Sequence, residues 1–281
     1  MGRVRIVTDS TADLPRELVD KYGIIVVPLK VNIGHDVYRD GVDLTHTEFI
    51  DRMIREDVLP TTSQPSPGEF VAVYERLAAK GESIISIHLS GKLSGTVQSA
   101  KTAKTITDYR DIYVIDSKTA SMGLGLIVLA AAKEAYEGRS VRDVLSTVND
   151  KIEKSFVVFL VDTLEYLEKG GRIGKAGNVL GTLLKIKPIL TIEDGQVVPL
   201  EKVRGEIKAI EQMTRCISER TDNTRWYNCA FVYGNRYKSL NRLREKVLDV
   251  IKCEDPLTTE IGAVIMSHVG PELIGVAICP D

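Results

Sequence analysis

The sequence predicts an α/β fold of two domains, the first built on a parallel sheet and the second on a mixed sheet. Three observations lead to this prediction. The chain has 281 residues, and a domain averages about 150 residues. In the first half, short β-branched runs alternate with helical patterns, as they do in βαβ units. In the second half, the turn signal Asp194-Gly195 separates two strand-like runs and indicates a hairpin.

The strands of the first half are short apolar runs that end in polar or turn residues. They are predicted at residues 4–8, 24–31, 83–89 and 112–115. The helices between them start and stop at recognisable signals. Two capping boxes, 45–48 and 66–69, open helices, and Gly23 ends an earlier one that begins near Pro15. Further helices are predicted after Ser94 and at about 121–137 and 140–153.

The pattern changes after about residue 155, which divides the chain into domains at 1–155 and 156–281. Strands of the second domain are predicted at 156–161, 189–193, 197–203, 229–233, 259–267 and 273–279. Helices are predicted at 163–169, 179–185, 206–220 and 239–252. Since no glycine- or serine-rich linker marks the boundary, we expect the two domains to pack closely.

Composition excludes several classes of protein. The chain carries 37 basic and 39 acidic residues, a net charge of -2, so it lacks the bulk positive charge of a nucleic-acid-binding protein. Its four cysteines form no C-x-x-C pair, which argues against a thiolate zinc site and a disulfide framework. The four histidines include no i, i+4 pair, so we expect no helical metal site. The start of the chain lacks a signal-peptide pattern, and a cytoplasmic location is expected.

Three enzyme motifs are approached but not matched. The stretch 170–176 has the wrong spacing for a phosphate-binding P-loop and places Ala176 where a hydroxyl is needed. The stretch 91–95 puts Ser94 one position too late for a nucleophile elbow. Gly123 and Gly125 lie within an apolar helical pattern and are more typical of close helix packing than of a dinucleotide fingerprint.

Hydroxyl-bearing segments stand instead where strands are predicted to end or helices to begin. They are 9–11, 61–64, 90–96 and 116–117. In open α/β sheets, ligands bind beyond the carboxyl ends of the strands, so these segments could converge on a ligand. Each of them could equally serve as a helix N-cap.

Taken together, six segments resemble the DegV family, which includes the fatty-acid-binding subunits of bacterial fatty acid kinases. These segments are 9–15 (DSTADLP), 62–66 (TSQPS), 93–96 (LSGT), 170–173 (GGRI), 202–205 (KVRG) and 268–271 (HVGP). The resemblance implies a two-domain fold with an N-terminal three-layer α/β/α domain on a parallel sheet and a C-terminal α/β domain on a mixed sheet. It also implies that a fatty acid tail is buried and that hydroxyls and a histidine hold the carboxylate.

Matched motif by motif, the resemblance assigns the carboxylate contacts to Thr62, Ser94 and His268. It implies a long-chain fatty acid such as palmitate, stearate or oleate as the ligand, with no other cofactor. The chain departs from the family pattern at Gly91, where a second small hydroxyl is frequent, and at Glu272, where glycine is frequent. Either departure could alter the mouth of the pocket.

This interpretation makes the chain a substrate-presenting subunit and not an enzyme by itself. Because the sequence lacks a nucleotide loop, a separate kinase subunit must supply ATP for acyl-phosphate formation. Arg172 is a candidate contact to the head group or acyl phosphate, and Arg204 is a candidate docking residue for the kinase. Transient contact with a membrane is compatible with this role. A basic surface without a partner would also explain both arginines.

Two other functions remain open from the sequence. A hydrolase could use Ser94 and His268 with Asp9 or Asp116, since those residue types suffice for a catalytic triad. A carrier of another acidic amphiphile would need the same combination of apolar pocket and polar head site.

Overall fold

A computed structural model describes residues 3–56, 59–179 and 186–281 of the chain. The first of its sheets has four parallel strands in the order β2-β1-β6-β7. These strands are β1 (Val4–Asp9), β2 (Ile25–Val27), β6 (Ser83–His88) and β7 (Ile112–Asp116). The predicted parallel sheet is therefore confirmed. Its strands end on one edge, where the hydroxyl-bearing segments 9–11, 90–96 and 116–117 follow.

Helices cover both faces of the parallel sheet. On one face lie α1 (Arg16–Tyr22), α5 (Met122–Tyr136) and α6 (Val141–Lys154), and on the other α3 (Pro67–Ala78) and α4 (Thr96–Thr107). Alternation along β6 explains the two layers, since Ile85 packs towards the first group and Ile84 towards the second. The three-layer α/β/α arrangement is thus confirmed.

A small antiparallel sheet was not predicted. It has the order β4-β3-β5 and consists of β3 (Lys30–Ile33), β4 (Asp36–Arg39) and β5 (Thr61–Ser63), with α2 (His46–Glu56) between the last two strands. The single strand predicted at 24–31 was wrong, because it is split between this sheet and β2. Pro28 lies at the break, and proline has no backbone N–H to continue a ladder.

The third sheet is mixed, as predicted, with six strands in the order β10-β9-β8-β13-β11-β12. They are β8 (Phe156–Leu160), β9 (Ile186–Glu193), β10 (Gln196–Arg204), β11 (Tyr227–Tyr233), β12 (Leu257–Glu260) and β13 (Ile274–Pro280). Among the described strands of this sheet, only β11 and β12 pair in parallel. Asp194 and Gly195 have φ values of 49° and 78°, which fits the hairpin turn predicted there.

Four helices accompany the mixed sheet in the described part of the chain. On one face, α8 (Glu206–Ser218) and α9 (Tyr237–Leu248) enclose an apolar cluster. The others are α7 (Glu165–Lys169) and α10 (Ala263–Val269), which pack against each other. The strand predicted at 259–267 was wrong: pairing ends at Glu260, and the chain turns at Gly262 into α10. The helix predicted at 179–185 falls mostly on residues outside the described ranges.

The largest apolar cluster lies between the parallel and mixed sheets. Met122 and Leu126 of α5 reach it from one side, and Val157 and Phe159 of β8 reach it from the other. The small sheet also packs there, through Val31 and its neighbours. The two halves therefore share one core, which agrees with the close packing expected from a sequence without a glycine- or serine-rich linker. The division of the chain at residue 155 stays a prediction. In the part of the chain that is described, no helix combines the length and the apolar character needed to cross a membrane.

Candidate functional site

A cavity lies in the shared core. Its volume is about 100 Å³. The apolar lining comes from both halves of the chain and includes Leu29, Leu93, Met122, Val157, Phe159 and Ala277. Its polar lining residues are Thr62, Gln64, Ser94, Ser121, Arg172 and His268.

Thr62 and His268 meet at the wall of this cavity. Thr62 lies on β5, opposite Val31, and His268 lies in the last turn of α10. The distance between Thr62 Oγ1 and His268 Nε2 is 2.8 Å, which is a hydrogen bond. Residues 206 positions apart in the sequence are thereby joined.

The ring of His268 is neutral. Burial, and then the charge of Arg172, lower the pKa of His268 from 6.5 to about 4. Its Nδ1 atom is buried without a hydrogen-bond partner and lies so close to Gly170 that a Cβ built there would be 2.4 Å away. A buried N–H without an acceptor costs more than a bare ring nitrogen, so we assign the proton to Nε2. Nε2 then donates to Thr62, and the Thr62 hydroxyl proton is free for another acceptor.

Ser94 lies in the turn between β6 and α4. Its Oγ is 2.9 Å from Thr96 Oγ1 and accepts a hydrogen bond from the Thr96 amide at 3.3 Å. These contacts hold the hydroxyl in place beside the helix start. Gly95 allows Gln64 to approach, because a Cβ at that position would come within 2.7 Å of Gln64 Nε2. The turn can therefore pack directly on the segment that carries Thr62.

Arg172 connects the two sides of the polar patch formed by Thr62, Ser94 and His268. Its Nε donates to the carbonyl of Leu93 at 3.0 Å, and its Nη1 donates to the carbonyl of Gly170 at 2.6 Å. The guanidinium thus joins the residue before Ser94 to the glycine against His268. Four residues matched by the resemblance, Thr62, Ser94, Arg172 and His268, consequently line a single cavity.

The other singled-out residues lie elsewhere. Arg204 is exposed at the end of β10 and does not line the cavity. Glu272 pairs with Arg236 and accepts from Asn235. The amide of Gly91 donates to the Asp116 carboxylate at 3.1 Å. Neither departure from the family pattern lines the cavity.

The triad weighed as an alternative is not assembled. Ser94 bonds Thr96, while His268 bonds Thr62. Asp9 instead holds His88, with 3.0 Å between Oδ2 and Nδ1, and the other ring nitrogen of His88 is 2.7 Å from Ser86 Oγ. That Asp-His-Ser series has the residue types of a triad, but all three side chains are fully buried, so no substrate reaches it.

Sequence reasoning missed Gln64 and Ser121 as lining residues and did not locate the apolar wall. The close helix packing predicted at Gly123 is confirmed, because a Cβ there would lie 2.8 Å from Val157 Cγ1. Both residues line the cavity, so Gly123 was the one sequence feature that pointed to its apolar wall. The described residues contain no group of histidine, cysteine and acidic side chains that could hold a metal ion.

Comparison with known proteins agrees with this geometry. A family model described as an uncharacterised protein of the DegV family matches residues 3–281. The chain belongs to the DegV family. Among curated relatives, a DegV domain-containing protein of Caldanaerobacter subterraneus is 37% identical over 276 residues, covering 98% of each chain. The Bacillus subtilis protein DegV is 33% identical over 277 residues, covering 98% of this chain and 99% of its own length.

Solved structures of similar proteins share the whole fold. A fatty-acid-binding DegV family protein of Thermus thermophilus has a TM-score of 0.95 and 40% identity over 99% of this chain and all of its own. DegV of Bacillus subtilis, also a fatty acid binding protein, has a TM-score of 0.90 and 32% identity over the full length of both chains. A stearic-acid-binding protein of Eubacterium ventriosum has a TM-score of 0.90 and 28% identity, covering 99% of this chain and 98% of its own. The DegV family proteins of known structure thus include proteins that bind fatty acids.

Proposed function

We propose that this chain binds one long-chain fatty acid, such as palmitate, stearate or oleate, and presents its carboxylate to a separate ATP-dependent kinase. The observation that carries the proposal is the Thr62–His268 hydrogen bond at the wall of a mostly apolar cavity. The fatty acid binding of DegV relatives supports it.

The apolar lining of the cavity suits an alkyl tail. Burial of a methylene group contributes about 0.8 kcal/mol, so a tail of about 14 methylenes gains roughly 11 kcal/mol before the costs of binding. The walls offer aliphatic and aromatic side chains from β8, β13 and α5. An alkyl tail has no hydrogen-bonding groups, so apolar walls can enclose it without leaving any of its atoms short of a hydrogen-bond partner.

The polar patch fits a carboxylate. A buried carboxylate without donors would be prohibitively costly. In the proposed complex, the Thr62 hydroxyl donates to the carboxylate while it accepts from His268 Nε2, and Ser94 supplies a second hydroxyl donor. Arg172 adds positive charge nearby, although its Nε and Nη1 are committed to backbone carbonyls. Hydroxyl donors leave the carboxylate oxygen more nucleophilic towards ATP than a bidentate arginine would.

Extraction of bound lipid tests the proposal directly. Protein purified without added lipid is denatured, and the extract is examined by mass spectrometry. We expect about one long-chain fatty acid per chain. Thr62→Val and Ser94→Ala should weaken retention about 10- to 100-fold, the cost of losing a hydrogen bond to a charged group.

Thr61→Val is the matched control, because Thr61 is an exposed neighbour on the same strand whose hydroxyl accepts from Asn32 outside the cavity. Its lipid content should equal that of the wild type. An extract without fatty acid, even after incubation with palmitate, stearate and oleate, would contradict the proposal. A different acidic amphiphile in the extract would favour the carrier of another ligand, and ester hydrolysis that disappears in Ser94→Ala would favour the hydrolase.

Docking to the kinase is tested separately at Arg204. This exposed residue ends β10, away from the cavity lining. We expect Arg204→Glu to slow acyl-phosphate formation about tenfold, because reversing a charge at an interface mainly lowers the rate at which the two proteins associate. The amount of fatty acid bound to Arg204→Glu should stay at the wild-type level. The control is Arg110→Glu, at an exposed arginine between α4 and β7, and its acyl-phosphate formation should equal that of the wild type. Loss of lipid from Arg204→Glu would show a defect of folding and not of docking.

A further inference from the structure

Asp13, two residues after the hydroxyl-bearing segment 9–11, contacts the helix that carries His268. Asp13 Oδ1 accepts a hydrogen bond from the Gly262 amide at 2.9 Å, and Asp40 Oδ1 accepts one from the Ala263 amide at 3.0 Å. These are the amides of the N-cap residue and of the first residue of α10, and the N-cap has no side chain that could cap the helix. The two carboxylates therefore act as N-caps supplied from 249 and 223 residues away.

We propose that Asp13 and Asp40 are positioning residues that fix α10 and thereby hold the His268 ring against Thr62. His268 follows Gly262 by six residues, about 9 Å along a helix. Over such a short helix, a shift of the first turn moves the last turn by a similar amount. The role of these residues in fatty acid retention rests on the function proposed above, whereas their effect on the ring of His268 does not.

Asp13 also connects α10 to the opposite side of the cavity. Its Oδ2 is 2.5 Å from the hydroxyl of Ser121, which precedes α5 and lines the cavity. Thr259 donates from its hydroxyl to the Asp13 carbonyl at 3.2 Å. One residue thus joins the start of α5, the start of α10 and the end of β12.

The two carboxyl groups occupy this place at an energetic cost. Both are buried, and burial is the main cause that raises the pKa of Asp13 and of Asp40. Asp40 Oδ2 has no hydrogen-bond partner. Gly262 makes the close approach possible, because a Cβ there would lie 2.8 Å from Asp13 Oδ1 and 3.3 Å from Asp40 Oδ1. An arrangement that is costly for stability but specific in geometry fits a positioning role.

The experiment compares alanine with asparagine at each position. Asparagine keeps an oxygen acceptor for the helix amide and is as good an N-cap as aspartate, whereas alanine removes the acceptor. The first readout is NMR of the His268 ring, which reports its protonated nitrogen and its titration in the folded protein. The second is the amount of palmitate retained after dialysis against lipid-free buffer.

In Asp13→Ala and Asp40→Ala we expect the His268 ring signals to shift and its titration to move up by about one pH unit as water reaches the ring. Palmitate retention should fall about fivefold, the effect of losing a cap of average strength. Asp13→Asn and Asp40→Asn should restore both readouts, and Asp20→Ala, at an exposed position of α1, should change neither.

Folded alanine variants with wild-type ring signals would overturn the proposal, as would asparagine variants that shift the ring as far as alanine does. If an alanine variant fails to fold, Gly262→Ala provides the comparison, because a Cβ there would lie 2.8 Å from Asp13 Oδ1 and would displace that carboxylate from the start of α10. An unshifted His268 ring in Gly262→Ala would count against the proposal. Wild-type protein that retains no palmitate would contradict the function proposed above and would leave the ring measurement valid.

Discussion

Replacing Gly170 with alanine should disrupt the polar patch and empty the cavity. A Cβ at this position would lie 2.4 Å from His268 Nδ1 and 2.9 Å from the Tyr166 carbonyl oxygen, so neither the ring nor the backbone leaves it room. Overpacking of this kind costs about 1–3 kcal/mol, and displacement of the ring also breaks its hydrogen bond to Thr62, for about another 1 kcal/mol. Denaturant unfolding should show a stability loss of about 2–4 kcal/mol. Lipid extraction should show little bound fatty acid.

Gly177→Ala is the matched control for this prediction. The nearest atom to its added Cβ is Ile173 Cγ2 at 3.7 Å, an ordinary van der Waals distance. This variant should keep its stability and its lipid. If Gly170→Ala behaves like Gly177→Ala in both measurements, the tight packing of His268 on Gly170 has no role in binding.

The elements that the sequence predicts well are those with local signals. The capping boxes at Ser66 and Thr45 open α3 and α2 because each pairs a hydroxyl with a glutamate three residues later. The hairpin at Asp194-Gly195 follows from residues that tolerate positive φ. The helix α10 lacks such a signal, because its caps, Asp13 and Asp40, come from distant parts of the chain. Its β-branched and apolar residues therefore predicted a strand.

The candidate site shows the same division between local and distant information. The resemblance to the DegV family points to Thr62, Ser94 and His268, and the structure places all three on one cavity. No local pattern could reveal that Thr62 bonds His268, or that Arg172 bonds the carbonyl of Leu93, 79 residues away. The neutral state of His268 also depends on its burial, which the sequence does not specify.

That neutral state predicts how stability depends on pH. An unfolded histidine has a pKa of 6.5, whereas burial lowers the pKa of His268 in the folded chain to about 4. Between these values the unfolded state binds more protons, so acid favours unfolding. The contribution is fully present above pH 6.5 and is lost as the pH falls towards 4. The shift corresponds to about 3 kcal/mol.

Denaturant unfolding of lipid-free wild-type protein and His268→Gln across this pH range measures the effect. Wild-type stability should fall with acid by about 3 kcal/mol more than that of the variant. The raised pKa values of Asp13 and Asp40 act in the opposite direction, but they are present in both proteins and cancel in the difference. A bound fatty acid carboxylate beside Thr62 should raise the pKa of His268 and flatten the wild-type curve. Parallel curves without lipid would mean that His268 titrates in the folded protein as it does in the unfolded chain.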